Sequence, residues 1–143
     1  MIARAKPPTW FWVAAGFFLV WSLAALASFW MHVTFNPDDP ANPTYDRQLY
    51  RSLPGWLTWV YALAVATVFV GALALLGRSR AAVGLFAVSL VAVAVQFGWT
   101  LGTTDLIAAK GFAVAAGPPI VIFALGVAAF WFARVAERRG WIA

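Results

Sequence analysis

The chain contains no cysteine, one histidine and only five acidic residues among its 143 positions. Without cysteine there can be no disulfide, thiolate metal site or cysteine nucleophile. Charge as a whole is scarce, at 10% Asp, Glu, Lys and Arg against roughly 25% in a soluble domain. The places where charge is missing say most. From Thr9 to Val33, Trp56 to Leu76, Ala81 to Thr100 and Phe112 to Ala133 there is none at all.

Each of these runs has the length of a bilayer crossing, which takes roughly 20 apolar residues over a ~30 Å hydrocarbon core. Hydrophobic residues make up 64% of the chain and mean hydropathy is +0.83. The reading is an all-α polytopic membrane protein, one domain over residues 1–143, with spans at about 9–34, 55–77, 80–101 and 112–135 in an antiparallel bundle. Four crossings use up nearly all of this length, leaving no room for a soluble domain. Arg4 and Lys6 before an apolar run resemble a signal peptide, with Ala25-Leu26-Ala27 as a small-residue cleavage pattern. A signal core spans only about 7–15 residues, and this run continues through Trp30 and Met31, so helix 1 is read as retained.

The net charge of +5 does not point to nucleic acid, because the basic residues cluster at helix ends. Arg4, Lys6, Arg78, Arg80, Arg134, Arg138 and Arg139 fall on one side of the threading, which is seven of the ten Lys and Arg. Arg47, Arg51 and Lys110 fall on the other, with Asp38, Asp39, Asp46 and Asp105. The positive-inside rule then places both termini in the cytoplasm. Tryptophans at the span ends (Trp10, Trp12, Trp30, Trp56, Trp59, Trp99, Trp131 and Trp141) agree, since indole favours the headgroup boundary. Trp21, near mid-span, needs a partner for its N–H: a packed helix, or a bound molecule.

Connections carry their own signals. Gly77-Arg78-Ser79-Arg80 reads as a tight hairpin, Gly77 taking the left-handed cap and Ser79 starting the next helix. In the first outer loop, Asn42-Pro43 is a helix-start signal, and Tyr45, Leu49 and Leu53 recur every four residues. A short interfacial helix near 43–53 is expected there, with Asp46, Arg47 and Arg51 toward water; an irregular loop is the other reading. Pro118 and Pro119 interrupt the last apolar run. Either a kinked helix runs continuously from Phe112, or the helix breaks at Gly117 and begins at Pro118, with a short outer helix and linker before it. The break is favoured.

The polar residues of the spans gather toward the outer end: His32, Thr58, Tyr61, Gln96 and Thr100. Ser89, Ala92, Gln96 and Thr100 form one stripe on helix 3, which should face protein because a buried amide needs a partner. The cluster reads either as an outward-opening pocket for a headgroup, a quinone or a polar solute, or as plain packing in which Gln96 bonds across helices. His32 could ligate a haem or chlorophyll magnesium, or donate to a loop carbonyl. Ala24, Ser28, Thr67, Gly71 and Gly126 suit close helix contact. No Asp, Glu, Lys or Arg lies within a span, so no ion relay is visible. Asp38 and Asp39 lack a histidine partner, so no metal site is expected, no catalytic residue is assigned and the chain is read as a non-enzyme.

Three stretches carry a resemblance. They are Pro7-Pro8-Thr9-Trp10-Phe11-Trp12 leading into Val20-Trp21-Ser22-Leu23, then Leu53-Pro54-Gly55-Trp56, and the hairpin around Arg78-Ser79-Arg80. The chain resembles a group of uncharacterised small four-helix bacterial inner-membrane proteins, some members of which carry the label "sugar transporter". The resemblance implies four spans and an inner-membrane location, and brings no active residues. Such proteins often have an acid before the second span, where this chain has Arg51-Ser52. The expected function is that of a non-catalytic accessory subunit in a respiratory or photosynthetic membrane complex, its partners being lipid and other membrane subunits. The alternative is a small homo-oligomeric transporter or channel for a small or lipophilic solute. No cofactor is expected beyond a bound lipid or quinone.

Overall fold

Pro8, Pro43 and Pro54 each stand immediately before a helix in the computed structural model, which describes residues 5–143. Proline presets φ near −65° and lacks the N–H that a first helical turn cannot satisfy anyway. The helices are α1 (Thr9–Val33), α2 (Thr44–Ser52), α3 (Gly55–Leu76), α4 (Ala81–Thr103), α5 (Leu106–Lys110) and α6 (Phe112–Arg138). Four of them, α1, α3, α4 and α6, are long and apolar enough to cross a membrane. This is a membrane protein: an all-α, four-span bundle with the expected short helix between the first two spans. Arg4 lies outside the described residues.

The spans pack in the order α1–α3–α4–α6, with α3 against α4 the most extensive pair. Where Lys6, the α3–α4 hairpin and the C-terminus converge, here the terminal end, the packing is tight. Phe11, Phe18, Phe86 and Phe132 fill it, with Ala15, Ala82 and Ala133 fully buried between them. Phe11 stacks on Phe132 at 5.6 Å, and Phe18 reaches both Phe132 at 5.8 Å and Phe86 at 6.3 Å. After α6, Gly140 turns the chain at φ 75°. The N–H of Trp141 then bonds the Ala136 carbonyl at 2.9 Å and that of Gly140 the Glu137 carbonyl at 3.1 Å, a Schellman ending. Trp141 and Ile142 are thereby folded back, buried, over the end of the bundle.

The α3–α4 hairpin corrects one expectation. Gly77 has φ −78°, and the left-handed residue is Arg78 at φ 57°. The Schellman bonds run from Ser79 N–H to Ala74 at 2.8 Å and from Arg78 N–H to Leu75 at 3.1 Å. Helix α3 therefore extends one residue further than a Gly77 cap allows. Arg78 adopts a conformation disfavoured for a side chain with a Cβ because its other bonds hold it. Its Nε donates to the Trp141 carbonyl at 2.8 Å and its Nη2 to Ala5 at 2.6 Å, while its own carbonyl accepts from Ala143 at 3.0 Å. Ser79 does not take the N-cap position, which is Arg80; one residue earlier, its Oγ accepts from the Ala81 N–H at 3.3 Å.

A second correction concerns Gly117, Pro118 and Pro119. Helix α6 runs through all three without a break from Phe112. Gly117 has no Cβ to meet the Pro118 ring, which removes much of the clash that bars a helical residue before proline. The two lost N–H donors fall within the second and third turns, a loss that membrane helices accommodate where neighbouring groups and local adjustment re-satisfy the carbonyls. The short helix expected before the break is present as α5, ended by Gly111 at φ 85°.

Candidate functional site

At the end opposite the termini, here the α2 end, the spans hold aromatic rings at their margins and a cavity between them. The cavity has a volume of about 240 Å³ and is bordered by all four spans. Trp21, Ala25 and Ser28 come from α1, Tyr61 and Ala64 from α3, Ser89, Gln96 and Phe97 from α4, and Ile122 and Gly126 from α6. The cavity's existence follows from side-chain size: α1 presents Ala24, Ala25 and Ser28 here, where nearer the terminal end it presents Phe11 and Phe18.

The polar groups on the cavity wall divide into paired and unpaired. The hydroxyls of Ser28 and Tyr61 share a hydrogen bond at 2.6 Å between α1 and α3. Ser89, buried, donates to the Ala64 carbonyl at 3.0 Å and so ties α4 to α3. Gln96 is half-buried and its amide makes no hydrogen bond among the described residues. The amide is not sealed off, since no buried side-chain N or O among those residues lacks a partner. The interhelical bond expected of Gln96 is absent; it faces the space between helices. Thr100, on the same stripe, returns its hydroxyl to the Gln96 carbonyl at 2.8 Å within α4.

Above the cavity, His32 stacks on Tyr61 with ring centres 5.2 Å apart and 21° between planes. Tyr50 of α2 lies 5.4 Å from His32, and Phe35 lies 5.0 Å from Tyr50. His32 thus packs between two tyrosine rings instead of meeting the loop carbonyl that its sequence position suggested. No group of three His, Cys, Asp or Glu side chains able to hold a metal occurs among the described residues. The structure brings His32, Tyr61 and Gln96 to one region, joined by Trp21, which sequence reading left between packing and ligand. Thr58 does not border the cavity and makes no side-chain hydrogen bond among the described residues. Ser28 and Ser89 were legible only as helix-contact residues, because nothing in their spacing distinguishes a cavity from a seam.

Helix α2 is fixed across this end. Tyr45 donates to Asp105 at 2.9 Å, and Asp46 pairs with Lys110 at 2.5 Å. Lys110 also lies over the Tyr45 ring at 5.6 Å. The Tyr45 hydroxyl is pushed above its ordinary pKa, by desolvation first and then by the Asp105 carboxylate. Arg47 and Arg51 bend back to the Pro37 carbonyl at 2.8 and 3.1 Å, and Arg51 also pairs with Asp38. These charges hold the loop while Arg51 still faces outward, its side chain 51% exposed. The His32–Tyr61 and His32–Tyr50 ring contacts lie between the cavity wall and α2. No family model matches the chain, and no curated protein or solved structure is significantly similar to it.

Proposed function

We propose that this protein is a non-catalytic subunit of a larger assembly in a bacterial inner membrane, respiratory or photosynthetic, with both termini in the cytoplasm. The observation that supports this most is the division between a chemically quiet interior and a broad apolar exterior. Inside, the span hydroxyls of Ser22, Thr67, Ser89 and Thr100 donate to main-chain carbonyls, and the four apolar runs hold no Asp, Glu, Lys or Arg to relay an ion. Outside, large residues such as Val13, Phe17, Val20, Val121, Val127 and Trp131 are exposed, a surface that serves lipid or the helices of a neighbour equally well. Extraction in mild detergent, native electrophoresis and mass spectrometry of the band test it. Stoichiometric co-purification with larger membrane subunits is expected; a protein found only alone or with copies of itself overturns the reading.

The cavity, with Gln96 in its wall, favours a second reading, a small homo-oligomeric transporter or channel for a small or lipophilic solute, using Gln96 together with Thr100 and His32 outside the cavity wall. Purified protein in liposomes would then move a solute unaided, and Gln96→Leu or His32→Ala would abolish that flux.

A further inference from the structure

We propose that the cavity between the four spans is a binding site for a small uncharged lipophile with an oxygen-bearing head, which hydrogen-bonds Gln96. This holds whether or not the chain works within a larger assembly, because it rests on the cavity alone. The polar inventory gives the first argument. Of the hydrogen-bonding side chains on the wall, Ser28, Tyr61 and Ser89 already have partners, while the Gln96 amide and the Trp21 indole have none among the described residues. An amide offers two donors and an acceptor, and an indole one donor. In a bilayer interior no bulk water is at hand to satisfy them. A ligand carrying a carbonyl or hydroxyl oxygen would.

Charge supplies the second argument. Among the described residues, no Asp, Glu, Lys, Arg or His borders the cavity, so a phosphate, carboxylate or ammonium would enter without a counter-charge, which low-dielectric surroundings penalise heavily. This narrows the headgroup, quinone or polar solute of the sequence reading to a neutral molecule. Size and walls give the third. At about 240 Å³ the cavity is smaller than a drug-sized site of ~300–1,000 Å³, and suits a head of about one ring between Trp21, Tyr61 and Phe97. A longer tail needs an exit. Beyond the Phe11–Phe132 and Phe18–Phe132 contacts at the terminal end, the extensive span pairs are α1–α3, α3–α4 and α4–α6, which leaves the α1–α6 side as the path toward lipid.

The test uses the full chain in lipid nanodiscs and a diazirine-tagged 4-alkylphenol as photoaffinity probe, with mass spectrometry locating the crosslink. Saturable labelling is expected in residues 61–68, 89–97 or 122–126, competed by untagged 4-alkylphenol and far less by the headless alkylbenzene or the charged alkylbenzoate. Gln96→Leu should weaken binding by about three- to tenfold, the worth of one neutral hydrogen bond. Ala25→Phe, which puts a ring into the space, should remove saturable labelling, and Val91→Phe on the exposed face of α4 should not. Circular dichroism and gel filtration establish that each variant is folded; Ala24→Leu replaces Ala25→Phe if the latter is not. Equal competition by alkylbenzene would make the cavity an unspecific lipid groove and overturn the proposal. So would preferential competition by alkylbenzoate, labelling that never saturates, or binding unchanged in Gln96→Leu.

Discussion

The Arg78 guanidinium donates to the main-chain carbonyl of Trp141 at 2.8 Å, joining the α3–α4 hairpin to the chain terminus 63 residues later. The same side chain reaches Ala5, so three segments distant in sequence meet on one cation. Its left-handed backbone, φ 57°, is the conformational cost of placing it there, of order 1–2 kcal/mol for a residue with a Cβ.

Arg78→Ala keeps that strain and loses both bonds, whereas Arg78→Gly loses the bonds and relieves the strain. Hydrogen bonds from a charged donor are worth about 1.5–3 kcal/mol each, less here because the site is only partly buried. Thermal unfolding in detergent should show Arg78→Ala less stable by about 2 kcal/mol and Arg78→Gly by about 1 kcal/mol less than that. Equal losses would mean that the backbone is not strained. In both variants the fluorescence of Trp141 should report a wetter surrounding.

Two glycines on helix seams should respond differently to alanine. A Cβ at Gly71 would lie 2.9 Å from the Phe86 ring, which is itself fully buried. One at Gly126 would meet only the Cδ2 end of Leu90, at 2.7 Å, a half-buried flexible side chain beside the cavity. Overpacking a rigid site costs about 1–3 kcal/mol, so Gly71→Ala should destabilise by that amount. Gly126→Ala should lie within ~1 kcal/mol of the parent, with the helix propensity of alanine offsetting the displacement. Reversible unfolding in mixed micelles measures both, and a reversed order would refute the packing.

Much of this fold could be read beforehand because charge marks where each span ends. The four runs without Asp, Glu, Lys or Arg became α1, α3, α4 and α6, and the Asn42-Pro43 signal became α2. Local chemistry was less reliable where two solutions were close in energy. Gly77 and Arg78 compete for one left-handed position, and the winner was decided by carbonyls of Trp141 and Ala5 that no local window contains. Pro118 and Pro119 look like a break on soluble-protein rules, yet the helix continues through them. His32, Tyr61 and Gln96 were singled out for their polarity inside apolar runs. What they surround was hidden, because a cavity depends on what alanines such as Ala24 and Ala25 fail to fill.

Continuity of α6 has its own measurement. If residues 112–117 belong to the helix, the amides of Ala115 to Gly117 should be protected from hydrogen exchange in nanodiscs together with those of the following turns. The Ala115 N–H already bonds the Gly111 carbonyl at 3.0 Å. Pro119→Ala restores a donor to the helix interior and should raise stability, by no more than ~3 kcal/mol. Rapid exchange across 112–117, with protection beginning only beyond Pro119, would restore the broken helix.

The attachment of α2 should be weak singly and stronger in combination. Asp46 and Lys110 are each about a third exposed, at 33% and 36% of their side chains, so their ion pair is worth only about 0.2–1 kcal/mol. Asp46→Asn should accordingly shift the melting temperature little and lose its effect at high salt, where exposed charges are screened. Tyr45→Phe removes the neighbouring bond to Asp105 at 2.9 Å. The two sites share Lys110, which pairs with Asp46 and also lies over the Tyr45 ring at 5.6 Å, so their effects should not add. A double-mutant cycle should show a coupling of at least ~0.5 kcal/mol, and limited proteolysis within residues 36–54 should quicken more in the double variant than in either single one. Strict additivity would mean that the two bonds act on separate parts of the loop.

The proposed direction of insertion rests on where the cations lie. Lys6, Arg78, Arg80, Arg134, Arg138 and Arg139 stand at the terminal end, while Arg47, Arg51 and Lys110 at the α2 end are accompanied by Asp38, Asp46 and Asp105. Short loops rich in Lys and Arg remain in the cytoplasm, and acids contribute little to that choice. The chain has no cysteine of its own, so single cysteines report without background. In intact cells a cysteine at Asn42, in the turn before α2, should react with an impermeant maleimide. One at Ser79, in the α3–α4 hairpin, should react only after the membrane is opened. The Ser79 side chain gives up one hydrogen bond in that substitution, to the Ala81 N–H at 3.3 Å, a small loss at an exposed hairpin. The opposite labelling pattern would invert the bundle and place Arg78 and its two carbonyl partners on the far side of the membrane.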